Sequence, residues 1–301
     1  MKLKFILLLI LLIFNNLSKA DVVKDSLAKN DSIKFWKFKG NASLSFGQTS
    51  YKYWSQGGEN SLSSLANYKM NLKYKNQKAV WENNFEAIYG IMQQGERKII
   101  KTDDKFEFIS NYSYKASERW FYNGMINLKS QFTKGYKYPN DSTVVSDFFS
   151  PAQLITSFGF EYRKRYYNLI FSVLTGKTTF VTNTLLSDAG AYGVEKGKKF
   201  KAGVGSFFKF TFKKEIIDNV ELNNRLELYS DYFNKPEYID VYWEVMLKMK
   251  INKFMYAAIN TTLIYDNDTK YTVKDQNGNI ISSLPKVQFK EAFALAFTID
   301  I

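Results

Sequence analysis

A chain of 301 residues with no histidine and no cysteine has few catalytic chemistries open to it. It cannot build a Ser-His-Asp hydrolase, an Asp-His protease, a histidine or thiolate metal site, or a disulfide framework. What remains are carboxylates, and their spacing sorts them. Glu82 and Glu86, then Glu221, Glu227 and Asp231, then Asp240 and Glu244 are separated by even intervals, which puts each group on one face of an extended strand. The same faces carry Lys69, Lys73, Arg119, Arg163, Arg225, Lys248 and Lys290. Mixed charge on shared faces predicts an ion-pair network, in preference to an acid–base pair or a charge-selective constriction.

A second set of acids sits in turn-like segments: Asp103-Asp104, Asp147 and Asp266-Asn267-Asp268. Oxygen clusters of this kind can ligate calcium, yet they more often form solvated turns with self-bonding side chains, so no metal or other cofactor is assigned. Trp54 belongs to a ring-rich stretch with Tyr51 and Tyr53, followed by Gln56-Gly57-Gly58-Glu59-Asn60, that could stack on sugars or anchor at an interface. Trp54 and these acids are the candidate binding residues of the connections.

The elements that must position these side chains are strands. From Ile239 to Ile251 the odd positions Ile239, Val241, Trp243, Val245, Leu247, Met249 and Ile251 are apolar, and the even ones are mostly polar. Period-two alternation gives a ribbon with one greasy face, which a helix cannot produce. The pattern recurs near 36–48, 62–74, 79–90, 104–115, 119–132, 152–163, 166–174, 200–213, 219–231, 239–252, 255–265 and 286–301. Twelve such segments predict an all-β, up-and-down antiparallel transmembrane barrel. A soluble β-sandwich also alternates, but outward faces this apolar on every strand would overfill one core.

Residues 1–20 read as a Sec-type signal peptide, with Lys2 and Lys4, an apolar run from Phe5 to Phe14 and Ser18-Lys19-Ala20 before the cut. That run is shorter than the roughly 18 residues a spanning helix needs. Residues 21–35 lack alternation and make a periplasmic lead-in, and no linker divides residues 36–301. The net charge of +13 falls to +10 when Lys2, Lys4 and Lys19 leave with the leader. The remaining lysines are scattered, so nucleic acid is not the expected partner. Phosphates of outer-membrane lipid and glycolipid, a small solute or an envelope protein are.

Connections alternate between tight and long, which predicts periplasmic turns, both termini in the periplasm, and external loops at 49–61, 91–103, 133–151, 175–199, 232–238 and 267–285. Trp36, Trp81, Tyr89, Trp120, Tyr122, Tyr162, Tyr166 and Tyr265 fall near strand ends, where interfacial girdles form.

Several short motifs then come in order: Trp54-Ser55-Gln56-Gly57-Gly58, Trp81-Glu82-Asn83 with Tyr89-Gly90, Arg97-Lys98, Thr102-Asp103-Asp104, and Gln131-Phe132 with Gly135-Tyr136. Ser146 to Ala152, Lys177 to Val181, Gly190 to Val194 and Tyr265 to Asp268 follow. In these the chain resembles a Bacteroidetes family of unknown function, DUF3078, taken to be outer-membrane barrels. The resemblance implies a barrel and supplies no catalytic residue. The expectation is an outer-membrane barrel without enzymatic activity, a narrow channel or a scaffold with binding loops. The rivals are a histidine-free enzyme modifying envelope lipid or glycan, and a soluble periplasmic β-protein.

Overall fold

The structure, a computed structural model, describes residues 35–53, 55–274 and 280–301. The leader, residues 21–34 of the lead-in and Trp54 lie outside the described residues. The strands are β1 (Trp36–Thr49), β2 (Ser61–Lys75), β3 (Ala79–Gln94), β4 (Ile100–Lys115), β5 (Trp120–Ser130), β6 (Gly135–Tyr136), β7 (Val144–Ser146) and β8 (Ala152–Arg163). They continue as β9 (Tyr167–Phe180), β10 (Phe200–Ile217), β11 (Val220–Asp231), β12 (Asp240–Lys250), β13 (Met255–Tyr265), β14 (Lys270–Lys274), β15 (Ile280–Pro285) and β16 (Gln288–Asp300). Twelve of them close into one antiparallel barrel in chain order, completed by β1 against β16. The pairs β6–β7 and β14–β15 are small hairpins within two connections.

The register explains why the alternating sequence closes this way. Trp243 pairs with Leu226 and Leu263, and Leu247 with Leu222 and Ile259, so like faces like along the outer row. That row stays uncovered, with Phe158 66% and Phe293 71% exposed. Gly159 and Gly205 sit at register shifts, where an added Cβ would run into the backbone of Phe171 and Ser230. Bulges of this kind bend a strand and sharpen its twist, which a closing sheet needs.

Tight turns at 76–78, 116–119, 164–166, 218–219 and 251–254 share one end with Trp36 and Asp300, the turn end. The long connections share the other, the loop end. Rings line the turn end: Trp36 lies 5.1 Å from Tyr74 and 5.8 Å from Trp81, and Trp120 lies 5.1 Å from Tyr162. Of the expected ring residues, Tyr166 sits in a turn rather than on a strand.

Some boundaries differ from the sequence reading. β9 runs to Phe180 and β3 to Gln94, because Thr175–Phe180 and Ile91–Gln94 keep ladder partners despite weak apolar patterning. The loop-end connections are also more ordered than alternation reveals. Residues 181–199 hold a helix α1 (Thr184–Asp188), capped by the Asn183 side chain accepting from Leu186 N, and a 3₁₀ turn at Ala191–Gly193.

The core lies inside the barrel and to one side. Met125, Ile155, Ile170, Phe207 and Tyr229, all inward residues of β5 and β8 to β11, form a buried apolar cluster against Ile109. The opposite inner wall carries small residues such as Ser45, Ala258 and Ala296.

Candidate functional site

The lumen is filled by charge at three levels. At the turn end Glu161, fully buried, accepts from Arg163 Nε at 2.6 Å and Nη2 at 2.8 Å, from Asn123, and through short contacts from Ser113 and Asn168. Glu82 pairs with Lys73 near the same mouth.

The middle level is the most connected. Arg225 on β11 reaches Glu107 on β4 with Nη1 at 2.9 Å and Nη2 at 2.5 Å, and grips Glu227 at 2.6 and 2.8 Å. Glu227 also receives Lys129 at 2.8 Å and Lys209 at 3.1 Å. The Lys129 ammonium sits 4.1 Å from the centre of the Tyr242 ring, and the Arg225 guanidinium 5.3 Å. Lys105 links Glu107 to Glu86, which holds Lys69 at 2.7 Å. Such charges are tolerable away from water only because each is paired and hydrogen-bonded.

This cluster separates two cavities. The loop-end one, about 290 Å³, is lined by Lys129 and Glu227 at its base and by Lys177, Tyr229, Asp240 and Tyr192 above. The turn-end one, about 390 Å³, is lined by Lys39, Asn41, Asn71 and Asn84, and reaches Glu107 and Arg225. Arg225, which lines the turn-end cavity, is bonded to Glu227, which lines the loop-end one.

At the loop end Lys177 pairs with Asp240 at 2.7 Å and Asp266 at 3.4 Å, and Lys201 with Asp268 at 2.6 Å. A lid covers part of the loop-end cavity. Val181, Leu186 and Val194 are buried together against Val144 and Tyr192, and the Tyr192 hydroxyl donates to Val145 O at 2.6 Å. Burial pushes the Tyr192 hydroxyl up to about 12. Asn183 Nδ2 donates to Asp147 at 2.8 Å, and Asn183 N to the Ser150 hydroxyl at 2.8 Å.

The structure gathers Glu86, Arg225, Glu227, Asp240 and Glu244 on inner faces, the last accepting from the Tyr242 hydroxyl at 3.2 Å. Lys248 lies 4.2 Å from the Tyr256 ring centre, apart from the middle cluster. Arg119 is corrected: it lies in the exposed turn one residue before β5, where its carbonyl accepts from Arg163 N at 2.9 Å. Of the five described candidate acids, Asp103 and Asp104 are corrected from a connection to strand β4, which starts at Ile100 because both keep ladder partners on β3, and all five are fasteners rather than open ligands. Asp104 accepts from Phe132 N, Thr133 N and Lys101; Asp147 from Asn183; Asp103 pairs with Lys290; Asp266 and Asp268 hold lysines. Among the described residues no group of three or more acids could hold a metal ion.

Glu107, Lys105, Lys129, Lys209, Glu161 and Lys177 were not singled out from the sequence, although alternation puts each on an inner face. The signal was present in Lys105-Phe106-Glu107-Phe108. Their depth depends on which strands face each other across the lumen, which only closure settles.

Among solved structures the chain is similar to an outer membrane channel from Pseudomonas putida F1, at 8% identity and a TM-score of 0.42, covering 91% of this chain and 100% of that one. It is also similar to the translocator domain of the autotransporter NalP from Neisseria meningitidis, at 7% identity and 0.32, over 92% and 89%. A third is the P. putida toluene transporter TodX, at 9% and 0.34, over 91% and 80%. The closed barrel itself rests on the strand pairing in this chain. No curated protein matches. Residues 46–136, from β1 into β6, match the family described as Protein of unknown function (DUF3078), to which this part of the chain is similar.

Proposed function

We propose that the protein is an outer-membrane β-barrel without enzymatic activity that passes a small polar solute through a lumen shut at rest by the Glu107–Arg225–Glu227–Lys129 partition. The observation that carries this reading is the pair of cavities meeting at that partition. Membrane residence is supported by an outer face that is apolar on strand after strand over a charged interior, the reverse of a water-soluble barrel. In this reading the leader directs export, the turn end faces the periplasm, and the loop end faces outward among glycolipid headgroups.

The test has two stages. Fractionation with boiled and unboiled gel samples reads the closed barrel, which shifts mobility on boiling. Planar-bilayer recording then compares wild type with Arg225→Gln and with Glu107→Gln/Arg225→Gln. Small, rare steps for wild type and larger, frequent ones for the variants support the channel. Silence from every heat-modifiable sample overturns it and leaves a scaffold.

A further inference from the structure

The barrel wall is not equally knit all round. The β1–β16 ladder runs through five residue pairs, Asn41↔Asp300 to Ser45↔Ala296, whereas each other barrel ladder runs through ten or more. Gly40 and Ile301 exchange both backbone hydrogen bonds at 2.9 Å at its turn end. Antiparallel bonding alternates along a strand, so on β1 the residues that turn their backbone groups toward β16 are Gly40, Ala42, Leu44, Phe46 and Gln48. Phe46 and Gln48 lie beyond the last pair, as do Leu295 and Phe293 opposite them. Four further pairs, Phe46↔Leu295 to Thr49↔Ala292, would zip the loop-end half, and among the described residues they are not formed.

This is a slot and not two frayed ends. β1 stays paired with β2 out to Thr49↔Ser61, and β16 with β13 out to Gln288↔Ile264. The slot is apolar outside and small or polar inside. Phe46, Phe289 and Phe293 face outward at 50%, 65% and 71% exposure. Inward lie Gly47 and Ala294, then Thr49 and Ala292, with Lys290 beyond them, while Gln48 shares the outward face of Phe46. Gln288, at the top of the same strand, lines the loop-end cavity. Lys290, half exposed, is ion-paired with Asp103 on β4 across the lumen.

An unpaired edge within hydrocarbon leaves backbone groups unsatisfied, so a slot in a membrane wall needs polar groups to fill it. Resting on the membrane reading above, we infer that this slot is a lateral portal, through which a phosphate-bearing amphiphile of the outer leaflet presents its headgroup to the loop-end cavity while its chains stay in the bilayer. The backbone groups of Gln48 and Phe293 that turn toward the slot recognise the phosphate together with Lys290, and the phenylalanines border the chains.

The cysteine-free chain makes the test direct. Ser45→Cys/Ala296→Cys spans an existing non-hydrogen-bonded pair, and Thr49→Cys/Ala292→Cys spans the open slot; pairs of that type, once zipped, bring Cα atoms within disulfide reach. Both full-length proteins are folded into phosphatidylethanolamine and phosphatidylglycerol vesicles carrying a trace of phospholipid with a photoreactive headgroup. The expected result is fast oxidation of the first pair, slow oxidation of the second, and labelling of Lys290 that is lost when the second pair is oxidised and regained on reduction. Equal oxidation rates overturn the portal, as does labelling confined to Phe46, Phe289 and Phe293 or indifferent to the lock. A protein that shows no heat-modifiable form in these vesicles fails the membrane reading instead, so the two failures are distinct.

Discussion

Arg225 and Glu107 stand five ladders apart round the wall, yet their side chains meet in a two-pronged contact at 2.9 and 2.5 Å. Such a contact ties β4 to β11 across the lumen and fixes the girth of the barrel at that level. Because Arg225 also grips Glu227, its removal takes a partner from two carboxylates at once and leaves Glu107 to Lys105 and Lys129, and Glu227 to Lys129 and Lys209.

Arg225→Ala is therefore expected to destabilise the barrel by up to about 3 kcal/mol, the low end of the cost of breaking a buried pair by one partner, because lysines still hold both carboxylates. Glu107→Gln/Arg225→Gln leaves no lone charge between these two and recovers part of that loss. Urea unfolding in detergent, followed by the unboiled gel band, gives both values.

Glu161 makes a similar demand at the turn end. It is fully buried and neutralised by Arg163, so Glu161→Leu leaves Arg163 with an unpaired guanidinium. The expected loss is about 3–5 kcal/mol, with bilayer conductance close to wild type because this group is not in the partition. A stability loss accompanied by a conductance change would contradict that separation.

The lid predicts a loop-specific defect. Asn183→Ala removes the helix cap and the bond to Asp147, costing about 1 kcal/mol locally. Limited proteolysis should cut within residues 181–199 faster, while the heat shift of the barrel stays unchanged.

Gly193 tests the same docking by sterics. Its φ is +73°, and an added Cβ would meet the Asp268 Cβ at 2.6 Å. Gly193→Ala is expected to push the 3₁₀ turn away from Asp268 and to weaken the Lys201 contact with it. Proteolysis in residues 181–199 reads the displacement, and a cutting rate equal to wild type would show that the turn absorbs the methyl.

Tyr192 gives the lid a pH dependence. Its hydroxyl is held up to about 12 in the folded chain, against an ordinary value near 10. The docked state thus binds this proton more tightly than the undocked one. Its contribution to docking is complete below pH ~10 and is lost as pH rises through the folded value. Hydrogen exchange of residues 181–199 should quicken between pH ~10 and ~12, and Tyr192→Phe should flatten that rise.

All twelve barrel strands were legible, because alternation such as Val241-Tyr242-Trp243-Glu244 reports which face meets hydrocarbon-like surroundings whatever the partner. The same rule located Arg225 and Glu227 on the lumen side. It failed where polar residues alternate with polar ones, as at Thr175–Thr179, and at Arg119, where the strand starts one residue later. It was also silent on what Asp147 and Asp268 do, since Asp147 meets Asn183 and Asp268 approaches Gly193 only after distant loops fold together. Trp54 lies outside the described residues.

The one-sided filling of the lumen has a mechanical meaning. The arc from β5 to β11 is backed by Met125, Ile155, Ile170, Phe207 and Tyr229 in contact, whereas the arc of β16, β1 and β2 carries serine, alanine and asparagine with lysines between them and no residue of that apolar cluster. Close-packed interiors compress little, and sparsely backed walls flex. The tube is thus stiff along one side and compliant along the other, so that any squeeze from the surrounding sheet is taken up at the shortest ladder.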